Sequence, residues 1–236
     1  MRASPEQLEI LRTVARRLGE LRDEVVFVGG MIRGLLITDP GASGPRPTDD
    51  VDVIVEVAST AEYQTKLAAR LRSLGFREDA TEGAPICRWT VDGIKVDVMP
   101  TKPGVLGFSN RWYGLAVATA NVVDLPEATQ GRVSIRVVCA AVFCATKLEA
   151  YEERGDGDLY HHDLEDLIAV VDGRPTLAEE LKSGDPALES FVAEALRRLF
   201  ESGLADALPG HLGGDRASQA RMPYVLGVLR RLASIA

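Results

Sequence analysis

The sequence predicts an α+β fold, in which a mixed β-sheet with flanking helices is followed by a helical C-terminal region. Short valine-rich runs alternate with helical patterns over residues 1–139, which is typical of strands and helices that share one core. From Ala140 onward only helical patterns continue, over 141–153, 162–171, 176–182, 186–202 and 218–234. We therefore predict an α/β domain over 1–139 and a helical domain over 140–236.

The elements of the first domain follow from apolar patterns read in chain order. Apolar residues at helical spacing predict an amphipathic first helix, and the continuous run Val25–Val28 predicts a buried strand. Glycine and proline predict a loop over 39–47, and Asp92-Gly93 is a strong signal for a two-residue hairpin turn. The predicted helices are 5–21, 31–37 and 60–74, and the predicted strands are 25–28, 51–57, 86–91, 94–99 and 132–138.

Composition and charge limit the possible functions. The net charge of −8 and the pI near 5.0 argue against a broad duplex-binding surface. No apolar run approaches the roughly 20 residues that span a bilayer, and the polar N-terminus lacks the apolar core of a signal peptide. The 3 cysteines lie in apolar stretches without paired metal-ligand spacing. We expect a cytoplasmic protein with no membrane partner.

Three aspartates on two predicted strands are the candidate centre of chemistry. Asp50 and Asp52 lie at the entrance of one strand, where residues two apart project to the same side. Two carboxylates about 4 Å apart repel by roughly 1–4 kcal/mol, so a raised pKa or a bound cation must offset the repulsion. Asp97 lies within another strand, between two valines. Because Mg²⁺ or Mn²⁺ prefers hard oxygen ligands, we predict that all three aspartates bind metal.

A glycine pair supplies the second half of the predicted site. Gly29-Gly30 separates the first strand from a predicted helix, so the backbone can approach a phosphate near a helix N-terminus. Arg33 follows in the first turn and could add a charge-assisted bond to a triphosphate. With bridging metal ions, this site predicts attack of an acceptor hydroxyl on the α-phosphorus of a nucleoside triphosphate, with pyrophosphate leaving. Asp97 would help to deprotonate or orient the acceptor.

Each of these signals alone has a simpler interpretation. The glycine pair can be only a turn, Asp50 and Asp52 can form a solvated strand end, and Asp97 can lie on an exposed edge strand. Their order and their strand-helix-strand context favour the interpretation as a metal and nucleotide site.

Gly29-Gly30, the Asp50/Asp52 pair and Asp97 resemble the motif of the DNA polymerase β-like nucleotidyltransferase superfamily. The resemblance implies a nucleotidyltransferase-fold sheet, magnesium, a nucleoside triphosphate substrate and transfer of a nucleotidyl group. The segment between Gly30 and Asp50 is longer than in many members and is similar to the AbiEii/AbiGii branch, whose members are toxins of toxin–antitoxin and abortive-infection systems. The run from Gly29 also resembles the opening of tRNA nucleotidyltransferases and poly(A) polymerases, but their downstream motifs are absent.

Two motifs in the second domain resemble the same branch. Lys147-Leu-Glu-Ala matches a lysine on the helix after the core, and the run from His162 to Asp166 matches a Lys-Asp-x-x-Asp-like motif with histidine in place of lysine. The resemblance implies that Lys147 neutralises phosphate charge, that Asp163 helps to bind the nucleotide, and that Asp166 orients Lys147 or acts as a base. Alternatively, Lys147 is an exposed helix residue, and the two aspartates complement a helix dipole.

The leading hypothesis is an enzyme that transfers nucleotides to tRNA or to a protein, as a toxin with a cognate antitoxin as partner. A second hypothesis is transfer to a small-molecule hydroxyl of the antibiotic type. A third is a catalytically idle binding module of the same fold.

Overall fold

The computed structural model describes residues 1–42, 44, 48–126 and 132–234. The chain groups into two compact units, each described by itself below. The sheet unit consists of Ser4–Ile32 and Arg46–Cys139, and the helical unit consists of Met1–Ala3, Arg33–Pro45 and Ala140–Ala236. The helical unit therefore takes in two segments from before residue 140, and the domain division at 139/140 stays a prediction. The predicted loop over 39–47 lies partly outside the described residues.

The described strands of the sheet unit form one 7-stranded mixed sheet. They are β1 (Val25–Val28), β2 (Asp50–Val55), β3 (Arg77–Glu78), β4 (Arg88–Val91), β5 (Ile94–Pro100), β6 (Asn121–Leu125) and β7 (Val133–Val137). Their order across the sheet is β3-β4-β5-β2-β1-β7-β6. β2 pairs in parallel with β5, and β1 pairs in parallel with β7, whereas the other neighbours are antiparallel. The predicted α+β class with a mixed sheet is confirmed.

Helices flank the sheet and make up most of the helical unit. The sheet unit contains α1 (Pro5–Leu18), α3 (Thr60–Glu62), α4 (Ala68–Ser73), α5 (Pro103–Leu106) and α6 (Tyr113–Ala118). The helical unit contains α2 (Arg33–Leu36), α7 (Ala140–Arg154), α8 (His162–Gly173), α9 (Leu177–Lys182), α10 (Pro186–Glu201), α11 (Leu204–His211), α12 (Arg216–Gln219) and α13 (Met222–Leu232). Among the described residues, no helix combines the length and apolar character that crossing a membrane requires.

The first helix shows how local sequence sets an element boundary. Gln7 donates its backbone N–H to Ser4 Oγ at 3.1 Å, and Ser4 donates its N–H to Gln7 Oε1 at 3.0 Å. This reciprocal capping satisfies two backbone donors that a helix N-terminus would otherwise leave unpaired. From this start, α1 buries Leu11, Val14 and Leu18 completely, so its amphipathic pattern becomes part of the sheet unit's core.

Several boundaries differ from the predicted ones for identifiable reasons. The predicted helix 31–37 is a 3₁₀ turn at Gly30–Ile32 followed by the short α2, and helix 60–74 is interrupted by a π-helical turn at Tyr63–Leu67. The sequence does not predict β3, which has two exposed charged residues, or β6, which is largely exposed at an edge of the sheet. It also does not predict α11, because Pro209 lies inside that helix.

Candidate functional site

Strand pairing brings the three predicted aspartates to one face of the sheet. β2 and β5 run in parallel with Asp52 directly opposite Asp97, and paired residues share a face. Asp50 lies two residues before Asp52, so it projects from the same face. Val51 and Val53 alternate with these aspartates and are fully buried. We call Asp50, Asp52 and Asp97 the aspartate cluster.

Gly29 leaves the space in which the Asp52 carboxylate lies. It follows β1, and the last residue of that strand, Val28, pairs with Asp52. A Cβ atom added to Gly29 would lie 1.8 Å from Asp52 Oδ2, and the φ angle of Gly29 is +73°. Both the space and the backbone conformation therefore require glycine. The observed reason for this glycine is the approach of Asp52, whereas contact of Gly29 and Gly30 with a phosphate stays a prediction.

The structure adds Arg88 of β4 to the aspartate cluster. Arg88 Nε donates to Asp97 Oδ1 at 2.7 Å, and its terminal NH2 donates to Asp97 Oδ2 at 2.7 Å and to Asp50 Oδ2 at 3.0 Å. Hydrogen bonding to Asp97 raises the pKa of Arg88 despite burial, which acts in the opposite direction. The guanidinium thus forms a two-pronged bond to one carboxylate and a single bond to another.

Arg88 is a site residue that was not predicted, although the sequence contains a signal for it. β4 and β5 pair so that Val91 lies opposite Ile94 and Arg88 lies opposite Asp97. The two-residue turn Asp92-Gly93 fixes this register, because each step back from the turn pairs with one step forward. Recognising the hairpin was therefore sufficient to place an arginine beside Asp97.

A second set of charged side chains lies in the helical unit. Lys147 of α7 donates its ammonium to Asp163 Oδ1 at 2.9 Å and lies 2.6 Å from Asp166 Oδ2, both on α8. Arg33 of α2 donates to Asp166 Oδ1. The side chain of Lys147 is 10% exposed, and those of Arg33, Asp163 and Asp166 are 3%, 0% and 1% exposed. We call these four residues the Lys147 cluster.

Electrostatic contacts keep Lys147 and Asp163 charged despite their burial. Burial acts to lower the pKa of Lys147, but the carboxylates of Asp166 and Asp163 outweigh it, so the pKa is raised. Burial acts to raise the pKa of Asp163, but Lys147 and Arg154 outweigh it, so the pKa is lowered. Arg154 Nε donates to Asp163 Oδ2 at 2.9 Å. The ammonium and this carboxylate are therefore both ionised at neutral pH.

Two histidines border Asp163. His161 Nδ1 lies 3.4 Å and His162 Nε2 lies 3.6 Å from Asp163 Oδ2, and the three residues have potential metal-ligand atoms within 4.8 Å of one another. Lys147 and Arg154 already bind the same carboxylate, and their positive charges oppose a cation there. Burial lowers the pKa of His162 below its ordinary 6.5 although Asp163 acts to raise it. His162 is therefore mainly neutral at pH 7.

The predicted site residues thus divide between the two units. Gly29, Gly30 and the aspartate cluster belong to the sheet unit, whereas the Lys147 cluster, including Arg33, belongs to the helical unit. Within the helical unit, Arg33 is bound to Asp166, and its predicted contact with a triphosphate stays a prediction. Lys147 is held by both aspartates of its motif, which is the arrangement that an orienting role for Asp166 requires.

Comparisons with known proteins bear on the fold. No model of a protein family matches the sequence, and no curated protein matches it. An antigenic nucleotidyltransferase-like protein from Paracoccidioides brasiliensis has a similar structure, with a TM-score of 0.51 and 19% identity over 85% of this chain and 93% of that chain. JHP933 from Helicobacter pylori matches with a TM-score of 0.46 and 14% identity over 98% of this chain and 93% of that one, and adds no support. The chain has a nucleotidyltransferase-like fold.

Proposed function

We propose that this protein is a metal-dependent nucleotidyltransferase that moves a nucleotidyl group from a nucleoside triphosphate to a macromolecular acceptor. The observation that carries the proposal is the pairing of Asp52 with Asp97 on one face, with Asp50 two residues away on the same face. A nucleotidyltransferase-like fold is compatible with this chemistry.

The residues of the aspartate cluster fit a divalent metal. Their carboxylate oxygens are the hard ligands that Mg²⁺ and Mn²⁺ prefer. The guanidinium of Arg88 bonds to Asp50 and Asp97 at 2.7–3.0 Å, so a positive charge is already accommodated between these carboxylates. A bound metal would supply charge stabilisation for the triphosphate and for the oxygens that attack and leave. Asp50, Asp52 and Asp97 would hold it.

The chain's own residues then have separable roles. Gly29 leaves room for Asp52 to project beside β1, which fixes one carboxylate relative to the others. The side chain of Asp97 is 11% exposed, and both of its oxygens accept from Arg88. An acceptor hydroxyl would reach it once Arg88 is displaced. In the proposed reaction Asp97 accepts or orients the proton of that hydroxyl. The role of Lys147 in neutralising phosphate charge, of Asp163 in binding the nucleotide and of Asp166 in orienting Lys147 belongs to the same proposal.

The test of the chemistry is incubation with each α-labelled nucleoside triphosphate, Mg²⁺ and a cell extract, followed by gel analysis. We expect a labelled RNA or protein band with the wild type and at least about a 100-fold loss with Asp52→Asn, because metal stabilisation of the transition state is worth several kcal/mol. Asp92→Asn is the matched control, since Asp92 is an exposed aspartate of the same unit that pairs with Arg17. Label that enters only small hydroxyl compounds would replace the macromolecular acceptor. Absence of any transfer would favour an idle binding module.

We further propose that the activity is that of a toxin of the AbiEii/AbiGii type with a cognate antitoxin. The support is the resemblance of Lys147 and of the run from His162 to Asp166 to that branch. Expression of the wild type in bacteria should arrest growth, whereas expression of Asp52→Asn at an equal level should not. Equal growth of both cultures would remove the toxin role and leave the transferase chemistry untouched.

A further inference from the structure

We propose that Arg88 competes with the divalent cation for Asp50 and Asp97. The guanidinium binds these two carboxylates until the metal displaces it. The inference rests on the proposed metal site and concerns how tightly that site binds metal. Arg88 is then a positioning residue, because it acts through the carboxylates.

The bonding pattern supports competition. Both oxygens of Asp97 accept from Arg88, each at 2.7 Å, through the two prongs of the guanidinium. Asp50 Oδ2 accepts from the same terminal nitrogen at 3.0 Å. One terminal nitrogen of Arg88 bonds to both Asp97 Oδ2 and Asp50 Oδ2, so it lies where a cation shared by these two carboxylates would lie. Two positive charges at the same oxygens repel each other, so a shared metal and the full set of Arg88 bonds compete.

The exposure of the residues makes the exchange possible. The side chain of Arg88 is 17% exposed, that of Asp50 is 35% exposed, and that of Asp97 is 11% exposed. The backbone of Arg88 is fixed by its pairing with Asp97 across the hairpin, whereas its long side chain has several rotatable bonds. The guanidinium can thus swing away from the carboxylates without disturbing the sheet.

The same contacts of Arg88 stabilise the arrangement of the carboxylates when no metal is bound. Carboxylates on neighbouring strands repel one another unless a positive charge lies between them. Arg88 offsets this repulsion and keeps Asp50 and Asp97 in place as preformed ligands. Binding a divalent cation then exchanges one positive partner for another, so the apparent metal affinity is lower than the carboxylates alone would give.

The test is the affinity for Mn²⁺ alone, measured by electron paramagnetic resonance or calorimetry without nucleotide. We expect Arg88→Gln to bind Mn²⁺ at least about tenfold more tightly than the wild type. Loss of one competing charge-assisted hydrogen bond changes the binding free energy by this amount. Arg88→Lys keeps the charge but cannot form both prongs, so its affinity should fall between the two. This variant also serves if Arg88→Gln does not fold.

Arg17→Gln is the matched control. Arg17 Nε and NH2 donate to the two oxygens of Asp92 at 2.6 and 2.7 Å, which is the same two-pronged bond outside the cluster. Its removal should leave Mn²⁺ affinity unchanged. Metal binding by Arg88→Gln that is equal to or weaker than that of the wild type would overturn competition while leaving the metal site standing. Absence of Mn²⁺ binding by wild type and variants would overturn the metal site and this inference together.

Discussion

The aspartate cluster and the Lys147 cluster both set carboxylates against cations, but they differ in their exposure to solvent. Asp50 keeps 35% of its side chain exposed and Asp97 keeps 11%. Asp163 and Asp166 keep 0% and 1%. An ion pair of a largely exposed carboxylate contributes little to stability. Removing either partner of a buried ion pair is strongly destabilising, because the remaining buried charge is uncompensated.

This difference predicts that the two clusters respond differently to substitution. In the proposed metal site, a divalent cation displaces Arg88 from the aspartate cluster. The Lys147 cluster joins α2, α7 and α8 within the helical unit through Arg33, Lys147 and the two aspartates of α8. We expect substitutions in the first cluster to change ligand binding and substitutions in the second to change the free energy of unfolding.

The largest expected effect is the loss of stability on truncating Asp166. Asp166→Ala leaves the buried cations of Arg33 and Lys147 without this carboxylate. We expect the free energy of unfolding to fall by about 3–5 kcal/mol, measured by urea denaturation. Asp50→Ala is the matched control and should cost less than about 1 kcal/mol, because its carboxylate is more exposed.

The expected difference between the two clusters is wrong if Asp166→Ala and Asp50→Ala lower the free energy of unfolding equally. A loss below about 1 kcal/mol for Asp166→Ala would show that the ion pairs of Arg33 and Lys147 contribute no more than surface pairs do. In that case Asp166 would be free to serve a purely chemical role.

A smaller effect is expected at Gly29, where backbone conformation and space act together. Gly29→Ala places a Cβ 1.8 Å from Asp52 Oδ2 at a φ of +73°, whereas Gly93→Ala meets nothing within 4 Å at a φ of +79°. For each variant, the free energy of unfolding should fall by about 1–2 kcal/mol, because alanine is less favourable than glycine in the left-handed backbone region. Only Gly29→Ala should also weaken Mn²⁺ binding, because Asp52 must move. Unchanged Mn²⁺ affinity in Gly29→Ala would separate Asp52 from the metal site.

Features that are set by neighbouring residues could be predicted from the sequence, whereas features that are set by residues distant in the chain could not. Alternation along Val51, Asp52 and Val53 is set by the two-residue repeat of a strand, so the common direction of Asp50 and Asp52 could be predicted. The placement of Asp97 beside Asp52 depends on the parallel register of two strands that are distant in sequence. No local pattern specifies that register, and only the order of the motifs suggested it.

The features that could not be predicted from the sequence depend on contacts between residues that are distant in the chain. Arg33 lies three residues after Gly30 and bonds to Asp166, 133 residues further along the chain, whereas its predicted contact with a triphosphate stays a prediction. Arg88 was within reach of a local rule, because the hairpin register sets its position. The ion pair of Arg33 depends on packing of α2 with α8, which sequence periodicity does not report.

The smallest expected effect lies at the exposed edge of the Lys147 cluster. Arg154 bonds to Asp163, but its side chain is 57% exposed. Arg154→Gln should therefore lower the free energy of unfolding at neutral pH by only about 0.2–1 kcal/mol, as for a surface pair. Because the pKa of folded Asp163 is lowered from 3.8, its contribution is complete above pH 3.8 and is lost as the pH falls through the folded-state value. Denaturation at a series of pH values should show the wild type and Arg154→Gln converging in acid. A difference that persists at the lowest pH would show that Arg154 stabilises the unit through contacts other than the Asp163 carboxylate.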